Sequence, residues 1–211
     1  MNWFIGTFTS SIGKKMFMAV TGLSFCAFLA VHLFGNLSLY GGKGMFTSYA
    51  EHLHALGILI NVAELGLLLF AILHVCLGIL LFYQNLRARP IRPVLKKTAG
   101  GRTISSALMP YTGFYMVFFV VFHLLTFHFV EHTPQTTFQL VADVFSRPGY
   151  VVFYLVSMIV VGFHIKHGFW SAFQTLGANH MKYMPLIRGI GWVFSFLVGI
   201  GFGSIPVFML A

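Results

Sequence analysis

The chain has 211 residues, of which 58% are hydrophobic and 8% are charged. A soluble domain is about 25% charged, so this composition excludes disordered, fibrous and disulfide-framework proteins and predicts an integral membrane protein. The net charge of +9 would suggest nucleic-acid binding in a soluble protein, but in a membrane protein it indicates topology, and no nucleic-acid partner is expected. Cys26 and Cys76 lie in apolar runs, so neither a disulfide scaffold nor a cysteine-rich metal site is expected.

Five apolar stretches are long enough to cross a membrane, because a transmembrane helix needs roughly 20 apolar residues. They cover about residues 17–39, 57–84, 107–130, 149–173 and 189–210. The connections between them are too short to hold a soluble catalytic domain. The sequence therefore predicts an all-α integral membrane protein, with a single membrane domain over residues 1–211 built as a five-helix bundle.

Basic residues are distributed unevenly between the connections. Eleven precede the first span, lie in the second connection or mark the fourth: Lys14, Lys15, Arg87, Arg89, Arg92, Lys96, Lys97, Arg102, Lys166, Lys182 and Arg188. Only Lys43 and Arg147 lie on the other side. By the positive-inside rule, the N-terminus is expected in the cytoplasm and the C-terminus outside.

The first four spans form an internal repeat of about 90 residues. In spans one and three, Thr-Gly is followed ten residues after the glycine by His-Leu, which gives Thr21, Gly22 and His32, then Thr112, Gly113 and His123. In spans two and four, the pattern is His-x-x-x-Gly, from His74 to Gly78 and from His164 to Gly168. One helix pair is thus predicted to be duplicated, with the fifth span added.

The four repeated histidines are predicted to form two layers. His32 and His123 each lie about seven residues from the outer end of a span, and His74 and His164 about ten residues from the inner end of theirs. With a rise of 1.5 Å per residue, the layers are separated by roughly 15 Å. An isolated membrane histidine is about as often a hydrogen-bonded packing residue as a ligand, but two pairs from different helices are what two bis-histidine haems require.

The glycines one turn from two of these histidines fit the same interpretation. Gly78 and Gly168 share a helix face with His74 and His164, so they leave space for a flat macrocycle, although glycine also serves close helix packing in membranes. Gly22 and Gly113 are assigned to haem packing with them. Zinc is disfavoured because two imidazoles per layer are too few ligands.

With these motifs, the chain resembles the cytochrome b558 subunit of succinate dehydrogenases and fumarate reductases, a five-helix, di-haem membrane anchor in one polypeptide. The resemblance covers the whole chain and is most specific in its first 40 residues. The residues that carry it are Ser10-Ser11-Ile12-Gly13-Lys14-Lys15, Met18-Ala19-Val20-Thr21-Gly22, Phe28-Leu29-Ala30-Val31-His32-Leu33-Phe34-Gly35-Asn36, Glu64 ten residues before His74, and His164 to Gly168.

The resemblance implies that His74 and His164 ligate an inner haem b, and that His32 and His123 ligate an outer one. It further implies a cytoplasmic flavoprotein with covalent FAD, an iron–sulfur subunit, and menaquinone as electron partner in the bacterial cytoplasmic membrane. Some family members carry a glutamate two residues before the span-four ligand, proposed as part of a proton path, whereas this chain has Gly162. Lys166 and Arg87 are candidate partners for the inner haem propionates. The eleven basic residues of the inner side are candidate contacts for the iron–sulfur subunit and for anionic lipid.

A quinone site needs titratable groups, because quinone reduction takes up two protons. The candidates on the outer side are Asn36, Glu51, His54, His128, Glu131 and His132. On an α-helix, His128 lies about 140° from His123, so the two cannot bind one iron. Glu64 lies within span two and is a candidate proton relay, expected to be buried and protonated, or a hydrogen-bonding partner for another helix. His52 and His180 are expected in loops, and His167 is assigned no role.

Three alternatives remain open at this level. The chain could be the haem b subunit of a membrane hydrogenase or formate dehydrogenase, although the Ser-Ser-Ile-Gly-Lys-Lys segment and the repeat favour the succinate or fumarate system. It could be a transporter, but its prolines lie mostly outside the spans, with Pro110 and Pro206 near span ends. A haem-free structural anchor would be colourless and would tolerate loss of each histidine.

Overall fold

The computed structural model describes residue 6 and residues 10–88, 104–131 and 133–211, and these residues form helices and turns with no β-strand among them. A 3₁₀ turn at Leu37–Gly41 follows the first helix, and a π-helical turn at Leu124–His128 follows the fourth. The α-helices are α1 (Ser11–Asn36), α2 (Gly42–Ala55), α3 (Ile58–Arg87), α4 (Ile104–His123), α5 (Pro134–Phe145), α6 (Pro148–Thr175) and α7 (Met184–Leu210).

Five of these helices are long and apolar enough to cross a membrane, namely α1, α3, α4 with its π-turn, α6 and α7. The prediction of an all-helical, five-span architecture is therefore confirmed. The first span begins at Ser11, earlier than the apolar run, because the Ser10 hydroxyl oxygen accepts a hydrogen bond from the Gly13 backbone N–H at 3.0 Å and caps the helix.

Two shorter helices lie where only connections were expected. Helix α2 occupies the first connection and α5 the third, and they pack together through Phe46 and Phe138, whose ring centroids are 6.3 Å apart. His52 is therefore a helical residue, not a loop residue, and its Nδ1 lies 2.7 Å from the Ser48 carbonyl oxygen. We call the end of the bundle that carries α2 and α5 the capped end.

The opposite end, which we call the basic end, carries Lys14, Lys15, Arg87, Lys182 and Arg188. The other basic residues of the second connection, Arg89, Arg92, Lys96, Lys97 and Arg102, lie outside the described residues, as does His132. All four acidic residues of the chain, Glu51, Glu64, Glu131 and Asp143, lie in the capped half. The two ends thus differ in charge sign.

Helix α6 is the central element of the bundle and packs against α7, α4, α1 and α5. Its buried residues include Val151, Tyr154, Met158 and Val161. Helix α3 is peripheral, has no buried residue, and contacts α1 and, less extensively, α4. Four spans therefore form a ring in the order α1, α3, α4, α6, in which α1 lies diagonally opposite α4 and α3 lies diagonally opposite α6.

Candidate functional site

The four repeated histidines lie at two depths in this ring. Counted from the basic end of each helix at 1.5 Å per residue, His74 and His164 lie about 18 Å along their helices, and His32 and His123 about 30 Å. The separation of about 12 Å is slightly smaller than expected from the apolar runs, because the helices extend beyond those runs by unequal amounts. We call the two pairs the basic-side layer and the capped-side layer.

Each layer takes its two histidines from diagonally opposed helices. The capped-side layer joins α1 and α4, and the rings of His32 and His123 have centroids 6.1 Å apart with planes inclined at 84°. The basic-side layer joins α3 and α6 through His74 and His164. Diagonal helices in a four-membered ring face each other across the bundle axis, which is where a group held between facing side chains would lie.

In the basic-side layer, Thr21 on α1 orients His74 on α3. The Thr21 hydroxyl donates its proton to backbone carbonyl oxygens of its own helix, at 2.8 Å to Phe17 and 3.2 Å to Met18. Its oxygen also lies 2.9 Å from Nδ1 of His74. Because the hydroxyl proton is already used, Thr21 accepts and Nδ1 of His74 donates, which leaves Nε2 unprotonated and able to bind a metal.

The second half of the repeat has the same arrangement. The Thr112 hydroxyl donates to the carbonyl oxygens of Leu108 and Met109, each at 3.1 Å, and its oxygen lies 3.1 Å from Nδ1 of His164. The Thr-Gly motif of each first helix therefore serves the histidine of the following span. A hydrogen bond from the second ring nitrogen is how proteins fix the tautomer and orientation of metal-binding histidines.

The glycines assigned to haem packing fall into two groups. A Cβ at Gly22 would lie 3.3 Å from Cε1 of His74, and a Cβ at Gly113 would lie 3.6 Å from Cε1 of His164, so both glycines give room to an imidazole ring. At Gly78, a Cβ would face the Met18 methyl group at 3.6 Å, and at Gly168 the Met109 methyl group at 4.0 Å. Each of these glycines lies across from a flexible methionine, which can change rotamer to admit a flat group.

The capped-side layer is held mainly by aromatic packing. The His32 ring stacks on Phe28 at 5.1 Å and contacts Phe202 at 5.3 Å, and its Nδ1 lies 3.4 Å from the Asn36 amide nitrogen. The His123 ring lies between Phe119 and Phe127, and its Nδ1 is 3.3 Å from the hydroxyl of Tyr154. These hydrogen bonds are longer than those of the basic-side layer.

The capped-side histidine pair has the spacing expected of two imidazole ligands to one haem iron. A metal–imidazole bond is about 2 Å long and the ring centre lies about 1 Å beyond the nitrogen, so two ligands on opposite faces have centroids roughly 6 Å apart. The distance of 6.1 Å between His32 and His123 agrees with this value. Within the described residues, no three histidine, cysteine or acidic side chains come together to hold a metal ion, so each layer offers two protein ligands.

A polar pocket of about 460 Å³ lies at the capped end, between α3 and the end of α4. Its size falls in the range of small-molecule sites. It brings together four of the residues proposed for quinone binding or proton relay, His54, Glu64, His128 and Glu131. Gly57, Ile60, Asn61 and Val130 complete the lining.

Two of the other quinone candidates lie elsewhere. Asn36 is directed at His32, since its amide nitrogen donates to the His32 carbonyl oxygen at 2.8 Å. Glu51 is exposed on α2 and does not line the pocket. Glu64 was expected to be buried, but it is exposed toward the pocket, because α3 is peripheral and none of the described helices covers this face.

The predicted angle of about 140° between His123 and His128 is wrong. It assumed α-helical geometry, whereas Leu124–His128 is a π-helical turn, in which the Phe129 N–H donates to the Leu124 carbonyl oxygen at 3.0 Å. A π-turn holds more residues than an α-turn, so five residues rotate the chain by a smaller net angle. His128 lines the polar pocket, and its ring contacts that of Phe129.

Lys166 lies on the wrong face of α6 to serve the basic-side layer. It follows His164 by two residues, about 200° around the helix, so it points toward α7, where its ammonium nitrogen lies 4.5 Å from the ring centre of Trp192. The Arg87 guanidinium lies over the ring of Tyr83 at 5.2 Å. His167 is half-buried against Trp170, and its Nδ1 has no hydrogen-bond partner among the residues that the structure describes.

No protein-family model, curated protein or solved structure matches the chain. The site is therefore defined by its own residues. Several of these were not singled out as histidine partners from the sequence, namely Met18, Met109 and Tyr154, and the hydrogen-bonding role of the two threonines was missed. The repeat could have revealed most of them, because Met18 and Met109 are 91 residues apart, as are Thr21 and Thr112.

Proposed function

We propose that the chain is the di-haem b membrane-anchor subunit of a quinol:fumarate reductase or succinate:menaquinone dehydrogenase. It would pass electrons between an iron–sulfur subunit and menaquinone in the bacterial cytoplasmic membrane. The observation that carries the proposal is the duplicated pairing of Thr21 with His74 and of Thr112 with His164, at 2.9 and 3.1 Å. A histidine that serves only in packing needs no partner to fix its tautomer for metal binding. The occurrence of the same threonine–histidine pairing in both halves of the repeat therefore supports ligation.

The residues of this chain have distinct roles in the proposal. His32, His74, His123 and His164 would each hold haem iron through one imidazole nitrogen. Thr21, Thr112 and Tyr154 contact the other ring nitrogen of His74, His164 and His123, respectively. Bound haem would supply one-electron transfer at iron. The apolar side chains around the ligands exclude water and help to set the reduction potential.

The polar pocket at the capped end is the proposed menaquinone site. Reduction of a quinone takes up two electrons and two protons, and oxidation of the quinol releases them, so the headgroup needs acid–base partners. Glu64 and His128 supply these from α3 and the π-turn, and His54 and Glu131 lie in the same lining. The pocket and the capped-side layer share one chain segment, since His128 follows His123 by five residues.

The basic end is the proposed docking face for the iron–sulfur subunit and, through it, the flavoprotein with covalent FAD. Lys14, Lys15, Arg87, Lys182 and Arg188 give this end a positive charge, which the positive-inside rule assigns to the cytoplasm. The dicarboxylate chemistry would take place in the flavoprotein. The enzymatic role of this chain would be electron transfer and quinone binding.

The first experiment is to purify the chain from its native membrane with any bound partners and record a dithionite-reduced minus oxidised spectrum. We expect b-type α-bands, two haems per chain, and a co-purifying subunit with covalent flavin. A well-folded, colourless protein would overturn the proposal. Two haems together with a hydrogenase or formate dehydrogenase subunit, and no covalent flavin, would assign the electron carrier to a different enzyme.

The quinone pocket is tested separately by Glu64→Gln, which keeps the shape of the side chain and removes its acid–base function. We expect menaquinol oxidation to fall by 10²–10⁴-fold with both haems retained and reducible by dithionite. Glu51→Gln is the matched control, because Glu51 lies at the same end but outside the pocket lining. Equal activities of the two variants would place the quinone elsewhere.

A further inference from the structure

A second cavity lies on the opposite side of the ring, on the membrane-facing surface between α6 and α7. It is a groove of about 980 Å³, and its walls are large apolar side chains that no other described helix covers, including Ile159, Phe163, Phe196 and Ile200. Along α7 it extends from Trp192 to Phe208, about 24 Å at 1.5 Å per residue. That length exceeds the roughly 15 Å half-thickness of a bilayer hydrocarbon core.

The polar hydroxyl groups in the groove are all hydrogen-bonded within the protein. At the capped end, the Tyr40 hydroxyl donates to the Ser204 hydroxyl oxygen at 2.7 Å, and Ser204 donates to the Gly201 carbonyl oxygen at 2.8 Å. Further along, the Ser195 hydroxyl donates to the Trp192 carbonyl oxygen at 2.9 Å. The remaining polar side-chain groups of the lining are the Lys166 ammonium and the Trp192 indole N–H, and both lie at the basic end of the groove.

Lys166 has an aromatic neighbour but no acidic one. Its ammonium nitrogen lies over the Trp192 ring at 4.5 Å, a cation–π contact. Helices α6 and α7 contain no aspartate or glutamate, and the four acidic residues of the chain lie in the capped half. A second copy of the chain docked side by side in the same orientation would therefore bring no carboxylate to this position.

Lys166 lies a few ångströms inside the hydrocarbon boundary on the basic side, a depth from which a lysine side chain extends toward the lipid headgroups. Lys166 lies nine residues from the end of α6, and Trp192 eight residues from the start of α7, so both are about 13 Å from the basic ends of their helices. Each helix is about 40 Å long, some 10 Å more than the hydrocarbon core. Tryptophan and snorkelling lysine are the side chains that mark the membrane–water interface.

We propose that this groove binds one anionic phospholipid, with its phosphate beside Lys166 and Trp192 and an acyl chain along the apolar walls between α6 and α7. Charge complementarity selects this occupant: the groove has a single uncompensated cation at one end and apolar surface elsewhere. A zwitterionic lipid carries its own cation next to the phosphate, and a quinone carries no charge to pair with Lys166. Basic pockets between spans on the cytoplasmic side bind such headgroups. The proposal does not depend on haem or quinone binding.

The test is to purify the full chain with its partners in mild detergent and quantify the retained phospholipids per chain by mass spectrometry. We expect about one tightly held anionic phospholipid per chain. Lys166→Gln should lower the retention about fivefold, the effect of one basic residue near an anionic headgroup, and Lys166→Arg should keep it. Lys43→Gln is the matched control, since Lys43 is an exposed lysine at the capped end and lies outside both the groove and the proposed docking face.

A second variant tests the groove itself. Ile159→Trp replaces an exposed aliphatic side chain of the groove wall with a bulky indole ring. We expect the same loss of anionic lipid as in Lys166→Gln, with the haem spectrum unchanged. Several results would overturn the proposal: equal retention by the wild type and Lys166→Gln, no preference for anionic over zwitterionic lipid, or loss of menaquinone instead of phospholipid in Ile159→Trp. Conversion of an oligomer to a monomer by Ile159→Trp, with lipid retention unchanged, would assign the groove to a second copy of the chain.

Discussion

The two histidine layers orient the same ring in different ways. In the basic-side layer, both imidazoles donate to a threonine hydroxyl whose own proton is bound to its helix backbone, at 2.9 and 3.1 Å. In the capped-side layer, the corresponding polar contacts are 3.4 and 3.3 Å, and phenylalanine rings surround both histidines. Orientation depends on directional hydrogen bonds in one layer and on packing in the other. Removal of one hydroxyl oxygen that contacts a histidine should therefore change haem affinity and potential more in the basic-side layer than in the capped-side layer.

The largest expected effect comes from removing the ligands, one layer at a time. His74→Leu or His164→Leu should remove the basic-side haem and leave the capped-side haem. His32→Leu or His123→Leu should remove the capped-side haem and leave the basic-side haem. Haem content and the α-band of the reduced spectrum measure this. His167→Phe is the control, because His167 is also a half-buried histidine of a span and lies three residues from His164. Retention of both haems in any of the four ligand variants would contradict the assignment.

The next largest effect should come from the threonines. Thr21→Val keeps the volume of the side chain and removes the hydroxyl oxygen that accepts a hydrogen bond from Nδ1 of His74. We expect haem affinity in the basic-side layer to fall 10–100-fold and the midpoint potential of that haem to rise, because the ligand becomes less basic. Redox titration and haem retention would show this, with Thr21→Ser restoring both.

Thr175→Val serves as the matched control for the threonine variants, since its hydroxyl donates to the Ser171 carbonyl oxygen at 2.8 Å, away from the histidines. In the capped-side layer, Tyr154→Phe removes the longer contact of 3.3 Å to His123 and should change potential and affinity less than Thr21→Val. If Tyr154→Phe changes haem potential and affinity more than Thr21→Val does, the inference that hydrogen bonds orient one layer and packing orients the other is wrong.

The smallest expected effect distinguishes the two halves of the basic-side layer. Gly22→Ala places a Cβ 3.3 Å from the His74 ring, so the ring has to move by a few tenths of an ångström, whereas Gly113→Ala meets His164 at an ordinary contact of 3.6 Å. We expect a shift in the low-spin ferric electron paramagnetic resonance signal of one haem in Gly22→Ala and little change in Gly113→Ala. Equal shifts would show that the two rings are held with equal freedom.

The spans and the histidine repeat could be predicted from the sequence, because apolar length and a period of about 90 residues are strong local signals. Helices α2 and α5 could not, since their composition is mixed and their burial depends on each other through Phe46 and Phe138. The hydrogen bonds of Thr21 and Thr112 link residues more than 50 positions apart, so only the order of helices around the ring reveals them. The exposure of Glu64 depends on the absence of a described helix over that face of α3, which no apolar pattern encodes. The face of Lys166 follows from its spacing of two residues to His164 and could have been predicted.

The duplicated halves differ in the turns that follow His32 and His123. After α1 the chain tightens into a 3₁₀ turn at Leu37–Gly41, and after α4 it widens into a π-turn at Leu124–His128. The 3₁₀ turn is wound more tightly than an α-helix and the π-turn less tightly, so the two equivalent segments differ in backbone conformation. Of these two turns, only the π-turn places a histidine, His128, in the pocket beside α3. The internal repeat is thus kept in the two histidine layers and broken at the polar pocket. In the proposed function, a carrier with two equivalent halves would bind quinone at only one of them.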